Sequence, residues 1–269
     1  MKLSFPFPAL QLLSVFIVAC ATLTAPQAAS AQVPAQAGVG TDAVVLKPAS
    51  ATAQPQQLVN VLITSVRGTK VAVKNAQGEI SYDLAQIQEV RKAAPLEFVQ
   101  GQNAINAGDL DKALALIKGI ADRYKGLPTT WASDATALVG SIYISLGKLN
   151  EAEAAFNDFQ KTYPASGSIA TSVGKARIAA ERGNLAEAKS VAEPLVKDAL
   201  AKKTVTRAES QLYGQAFYVL GKVAEGEGKL PEAMENYCRT VAIFYQERAV
   251  VTEAEKRIDV LRKKNVTTP

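Results

Sequence analysis

One short phrase is written four times along the chain: GDLDKALALI from Gly108, GKLNEAEAAF from Gly147, GNLAEAKSVA from Gly183 and GKLPEAMENY from Gly228. Each glycine ends a segment of helical apolar periodicity, at a place where a left-handed backbone closes the helix and glycine adopts it without steric cost. A leucine stands two residues later and an alanine five residues later, at Ala113, Ala152, Ala188 and Ala233. The leucine fills the gap at the turn, and the alanine lets two antiparallel helices approach closely. Successive glycines lie 39, 36 and 45 residues apart, within the range where an internal period means stacked supersecondary units. A single such unit cannot bury its apolar face alone, so the phrase predicts an array in which each helix pair is covered by its neighbours.

The pattern also runs backwards from each turn. Seven residues before the glycines stand Gly101, Gly140 and Gly221, with Ala176 in the third unit, and these small residues thin the first helix where the second crosses it. In one unit Gly140, Tyr143, Gly147, Ala152, Phe156 and Pro164 fall at the spacings of the tetratricopeptide repeat. Residues 95–264 therefore resemble a tetratricopeptide-repeat array of four helix pairs plus a last helix, a mostly α solenoid. The chain departs from that family at Thr136, where the consensus has a tryptophan-like residue, and at Ala176, Ala179 and Ala192, where larger or glycine residues are usual. Thr206 and Glu209 match a capping box that starts a helix, and Pro194 falls inside one. The final amphipathic segment VVTEAEKRIDVLRKK reads as a polar cap, followed by a tail over residues 265–269.

Before the array the texture differs. Residues 32–57 are mostly Ala, Pro, Gln, Gly and Thr without apolar period, and predict a disordered linker. Residues 58–92 alternate in period two, with turns at Gly68 and Gly78, and predict a small antiparallel β module: a three-stranded meander with a short fourth strand near residues 87–90. It is similar to part of an SH3-like or Sm-like barrel. Two roles are open to it, a cap packed on the helices or an edge that pairs with a partner strand.

The first 31 residues have one charge, Lys2, an apolar run, and small residues at Ala29 and Ala31, the layout of a secretory signal peptide cleaved after Ala31. Within it Ile17-Val18-Ala19-Cys20 resembles a lipobox, so acylation at Cys20 is the alternative. The expected compartment is the periplasm, or the outer membrane as a lipoprotein; membrane attachment is expected only with lipidation at Cys20. The formal charge of +5 is mild and interspersed, and nucleic acid is not an expected partner of an exported protein.

Histidine is absent, and Cys238 is the only cysteine beyond residue 20. Ser/His and Cys/His nucleophilic sites are excluded on that ground. Ser172 and Lys175 match S-x-x-K, but its companion elements are missing, and neither Gly174-Lys175 nor Gly221-Lys222 has the spacing of a phosphate loop. No catalytic residue, cofactor or metal site is expected. What the resemblance implies instead is a concave groove lined by first helices, which receives an extended peptide or a partner helix. By repeat register its residues are Phe98, Gln102, Ser141, Arg177, Tyr218 and Lys222. The expected function is a non-enzymatic exported scaffold that holds a protein or peptide partner in cell-envelope assembly or maintenance. The alternative is an accessory cell-wall glycan-binding protein or degenerate enzyme subunit using the β module. Self-association into a homo-oligomer is left open.

Overall fold

The computed structural model describes residues 40–245 and 248–268. The expected signal peptide and Cys20 lie outside these residues. Among those described, the chain is mostly helical: a small antiparallel sheet is followed by a tetratricopeptide-like array of four helix hairpins and a last helix. The strands are β1 (Asp42–Leu46), β2 (Gln56–Arg67), β3 (Lys70–Asn75), β4 (Gly78–Asp83) and β5 (Ile87–Arg91). The helices are α1 (Leu96–Ala107), α2 (Leu110–Arg123), α3 (Thr130–Ser145), α4 (Leu149–Thr162), α5 (Pro164–Glu181), α6 (Leu185–Ala201), α7 (Arg207–Gly226), α8 (Leu230–Ile243) and α9 (Arg248–Lys263). None of them is long and apolar enough to cross a membrane.

The linker expectation for residues 32–57 is corrected at β1, which lies within it and pairs with both β2 and β5. The strand reads Ala-Val-Val-Leu with no alternation because it is internal to the sheet; Val44 and Val45 are both buried. A short apolar run without a period is what burial on both faces produces. The sheet order is β4-β3-β2-β1-β5, so the expected meander is present but the last strand returns to the opposite edge. Strands β4 and β5 are joined by one 3-10 turn, Leu84–Gln86. Four strand spacings of a flat sheet cover about 19 Å, whereas the chain between Asp83 and Ile87 reaches at most about 14 Å. The sheet must therefore curl to bring its edges together, as a small barrel does.

The sheet is continuous with the helices. Val44, Ile63, Val71 and Val73 share one core with Phe98, Ile117, Tyr124 and Trp131. Lys92 fastens the junction: its Nζ donates to the buried Asp42 carboxylate at 2.9 Å, its carbonyl accepts from Trp131 Nε1 at 2.9 Å, and its ammonium lies 5.4 Å from the Tyr124 ring centre. This is the capping role for the β module.

All four phrase glycines have positive φ, from 71° to 81°. They close α1, α3, α5 and α7 with the same bond: the residue after each glycine donates back to a carbonyl five residues earlier, as Lys148 N does to Tyr143 O at 2.9 Å. Ala113, Ala152, Ala188 and Ala233 are each fully buried. Nine residues after each turn the second helix presents Ile117, Phe156, Ala192 or Tyr237. A Cβ built on Gly101 would sit 2.5 Å from Ile117, one on Gly140 2.8 Å from Phe156, and one on Gly221 2.5 Å from Tyr237. In the third unit Ala176 and Ala192 take these two places and both are buried, so small faces small where elsewhere large faces glycine. These two departures from the repeat consensus form a matched pair. The Phe156 ring also closes on Gly174, whose Cβ would lie 2.4 Å away, so it is wedged between α3 and α5.

Helix α6 continues through Pro194, and the predicted capping box opens α7. Glu209 accepts from Thr206 N at 2.8 Å and also pairs with Lys202. Lys202 first, then the Thr206 amide, holds the Glu209 carboxyl down at about 2, against an ordinary 4.5. A depressed folded value means that the carboxylate's contribution is present above about 4.5 and lost as pH falls through about 2. Amide exchange in the first turn of α7, followed by NMR, is accordingly expected to accelerate over that acid window, and Glu209→Gln to remove this pH dependence.

Candidate partner-binding groove

The first helices of the hairpins, α1, α3, α5 and α7, carry the residues expected to face a groove. The structure distributes them unequally. Gln102 on α1 is exposed and Ser141 on α3 is half-buried. Phe98 is 6% exposed and belongs to the core shared with the sheet. Lys222 on α7 is half-buried, with Nζ 3.1 Å from Glu181 Oε2 on α5. Arg177 and Tyr218 are buried, with 1% and 4% exposure, and the guanidinium lies 5.6 Å from the phenol ring centre. As the chain folds here, Phe98, Arg177 and Tyr218 are internal contacts and not open lining; a partner reaches them only if something moves.

Phe98 is covered by the sheet core; over Arg177 and Tyr218 lies α9. Its apolar side, Val250, Ala254, Ile258 and Leu261, packs with Ala233, Met234 and Tyr237 of α8 and Tyr218 of α7. The expectation of a terminal cap is met there, but α9 does more. Glu253 Oε2 accepts from Arg177 Nη2 at 2.8 Å, and Oε1 accepts from Ser145 Oγ on α3 at 2.5 Å. A few residues on, Arg257 donates through Nε to Glu225 Oε2 at 2.9 Å, and Tyr237 Oη donates to the same oxygen at 2.9 Å. Burial alone would push the Glu225 carboxyl up; the Arg257 and Tyr237 bonds outweigh it and hold it low. Burial pushes the Tyr218 and Tyr237 phenols up, so both are neutral at ordinary pH. Helix α9 also touches α1, so the array curves until its first and last helices meet.

Ser145, Glu253 and Arg257 were not anticipated as site residues. A signal existed: Glu253 and Arg257 sit on the margin of the stripe formed by residues 250, 254, 258 and 261, where a purely capping helix has no need of charge. Which residue they would meet was not readable, because Ser145 is 108 residues from Glu253.

A second feature lies on the other helix layer. Between α2, α3 and α4 is a cavity of about 280 Å³, floored by Ala121, Thr136, Val139 and Ala155 and bordered by Tyr143. Thr136, at the place where the repeat consensus has a tryptophan-like residue, is among the cavity's lining residues. The Lys118–Asp122 and Lys125–Asp158 ion pairs, each 2.6 Å long, form the rim. Ser172 lies exposed on α5, and Gly174, instead of cradling a phosphate, receives the Phe156 ring. Among the described residues there is no group of three His, Cys, Asp or Glu side chains able to hold a metal.

No family model and no curated protein matches the chain. Among solved structures it is similar to MamA from Desulfovibrio magneticus RS-1, running from position 41 to its end, and to an RS-1 ArsTM double mutant of MamA. Each comparison has 17% identity and a TM-score of 0.33, and covers 64% of this chain and 98% of the other. At that distance the likeness adds nothing to the hairpin geometry itself.

Proposed function

We propose that the protein is an exported, non-enzymatic scaffold of the cell envelope that holds a partner protein on the inner face of its helical array. The observation that supports this reading is the socket formed by Ser145, Arg177 and Tyr218: side chains from two successive first helices donate to one carboxylate that is itself carried by a helix, and the phenol of a third lies against the guanidinium. Such a socket recognises; it does not transform. A buried phenol held above its ordinary value is no base. The signal-peptide pattern of the first 31 residues supports export.

Fractionation with mass spectrometry of the mature amino terminus tests the compartment, distinguishing a start at Gln32 from an acylated Cys20. Partner binding is tested in intact cells by a photoreactive residue at Gln102 on α1, compared with one at Asp111 on the second-helix layer. The expected result is one recurrent cross-linked protein from position 102 and none from 111. Equal capture from both positions, or retention of the protein on purified cell wall without any cross-linked partner, would overturn the reading; the latter would favour glycan binding.

A further inference from the structure

We propose that Glu253 is a latch, and that the groove it closes receives a partner helix whose own glutamate takes its place on Arg177. This rests on the scaffold reading and specifies the chemistry of the partner.

Arg177 is the starting point. It is 1% exposed, yet its Nε–H is buried with no acceptor among the described residues. Buried donors are nearly always paired, and a guanidinium beside a carboxylate is best satisfied side-on, with Nε and one Nη gripping both oxygens. Glu253 cannot do this. Its Oε2 meets Nη2, while its Oε1 is drawn away to Ser145 on the neighbouring helix. One carboxylate thus ties α3 and α5 to α9 with a single bond to each, at the expense of the fork. A carboxylate not tethered to α9 is free to take both nitrogens.

The same geometry lets the latch open without unravelling the end of the array. Val250, Ala254, Ile258 and Leu261 hold α9 on α8, and Arg257 holds it to Glu225 on α7. Ser145 and Arg177 lie on α3 and α5, beyond that attachment. Breaking the two Glu253 bonds, together with the contact to α1, frees α9 from α1, α3 and α5 while the α8 and α7 contacts persist. Each repeat unit contacts chiefly its neighbours, so opening this closure leaves the hairpin interfaces along the array in place.

Charge identifies the occupant. Lys222 is already met by Glu181, which leaves Arg177 as the buried inner-face cation with an unfilled bond. The resident helix shows what fits beside it: glutamate with apolar residues at −3, +1 and +5, as Val250, Ala254 and Ile258 stand to Glu253. The occupant is therefore an amphipathic helix bearing an internal glutamate in that frame.

The test uses the full chain and a fluorescein-labelled peptide of sequence RAVVTEAEKRIDVLRKK, acetylated and amidated so that its side chains supply the only carboxylates. Binding is read by anisotropy, with circular dichroism melts to confirm folding. Glu253→Ala is expected to bind this peptide at least ~10-fold more tightly than the wild-type chain, since the resident competitor is gone. Exchanging the peptide's first glutamate for glutamine is expected to remove at least ~10-fold of that affinity, as loss of a charge-assisted bidentate pair should. The peptide exchange on the wild-type chain needs no variant to fold and is expected to shift affinity the same way. Equal binding of the two peptides, equal binding by wild type and Glu253→Ala, or no binding by either chain would overturn the latch. If the peptides fail to discriminate while position 102 still cross-links a partner, the latch falls and the scaffold stands. If they discriminate but no partner is ever cross-linked, the carboxylate site stands and the scaffold falls.

Discussion

Phe156→Ala is expected to destabilise the folded chain by about 3–5 kcal/mol, the range for deleting a fully packed aromatic side chain. The size of the effect follows from where the ring sits. Phe156 is 3% exposed on α4 and fills the hollow made by Gly140 on α3 and Gly174 on α5, neither of which has a side chain to move into the space. Backbone lines the cavity on two sides, so collapse would require whole helices to shift. The loss is transmitted between repeat units as well as within one, because Gly174 belongs to the next hairpin. Urea unfolding followed by circular dichroism measures it. A midpoint within experimental error of the wild type would mean that α3, α4 and α5 do not pack as described.

Arg177→Glu should be nearly as damaging, about 3–5 kcal/mol, because it converts a buried ion pair into two facing carboxylates. Glu253 has 22% of its side chain exposed, so part of the repulsion is relieved if it turns to water, but the carboxylate introduced on α5 has no such exit. The contrast with Lys222→Glu is informative. Lys222 and Glu181 retain 22% and 29% exposure, and their pairing is of the partly solvated kind that contributes little. Thermal unfolding of the two variants is expected to separate them clearly, and Arg177→Glu combined with Glu253→Arg to recover part of the loss. An unchanged melting temperature for Arg177→Glu would show that α9 does not reach α5 in solution.

The helical array was readable because its determinants are local and repeated. A glycine at positive φ and an alanine at a crossing each act within one hairpin, and four copies, three of them with a large residue nine positions after the turn, make the pattern visible against noise. Strand β1 was not readable for the opposite reason. Four apolar residues between polar stretches have no period, and what makes them a strand is the pair of partners on either side, one of them 48 residues downstream where Ala43 meets Arg91. The inner face fell between these cases. Arg177, Tyr218 and Lys222 were expected to line an open groove; they do lie on first helices, but Arg177 and Tyr218 are covered and Lys222 is paired.

The amino-acid sequence by itself determined that residues 95–264 form stacked hairpins, where each turn falls, and that the chain lacks the side chains for His-dependent chemistry. Those properties depend on spacing and composition, which a chain carries before it folds. Only the tertiary structure decided that β1 joins the sheet, that Phe156 bridges two hairpins, and that Glu253 joins α9 to Ser145 on α3 and Arg177 on α5. These are contacts between separate segments of the chain; the last of them is set by how far the array curves, and curvature accumulates from small rotations at every interface and is encoded at none of them singly.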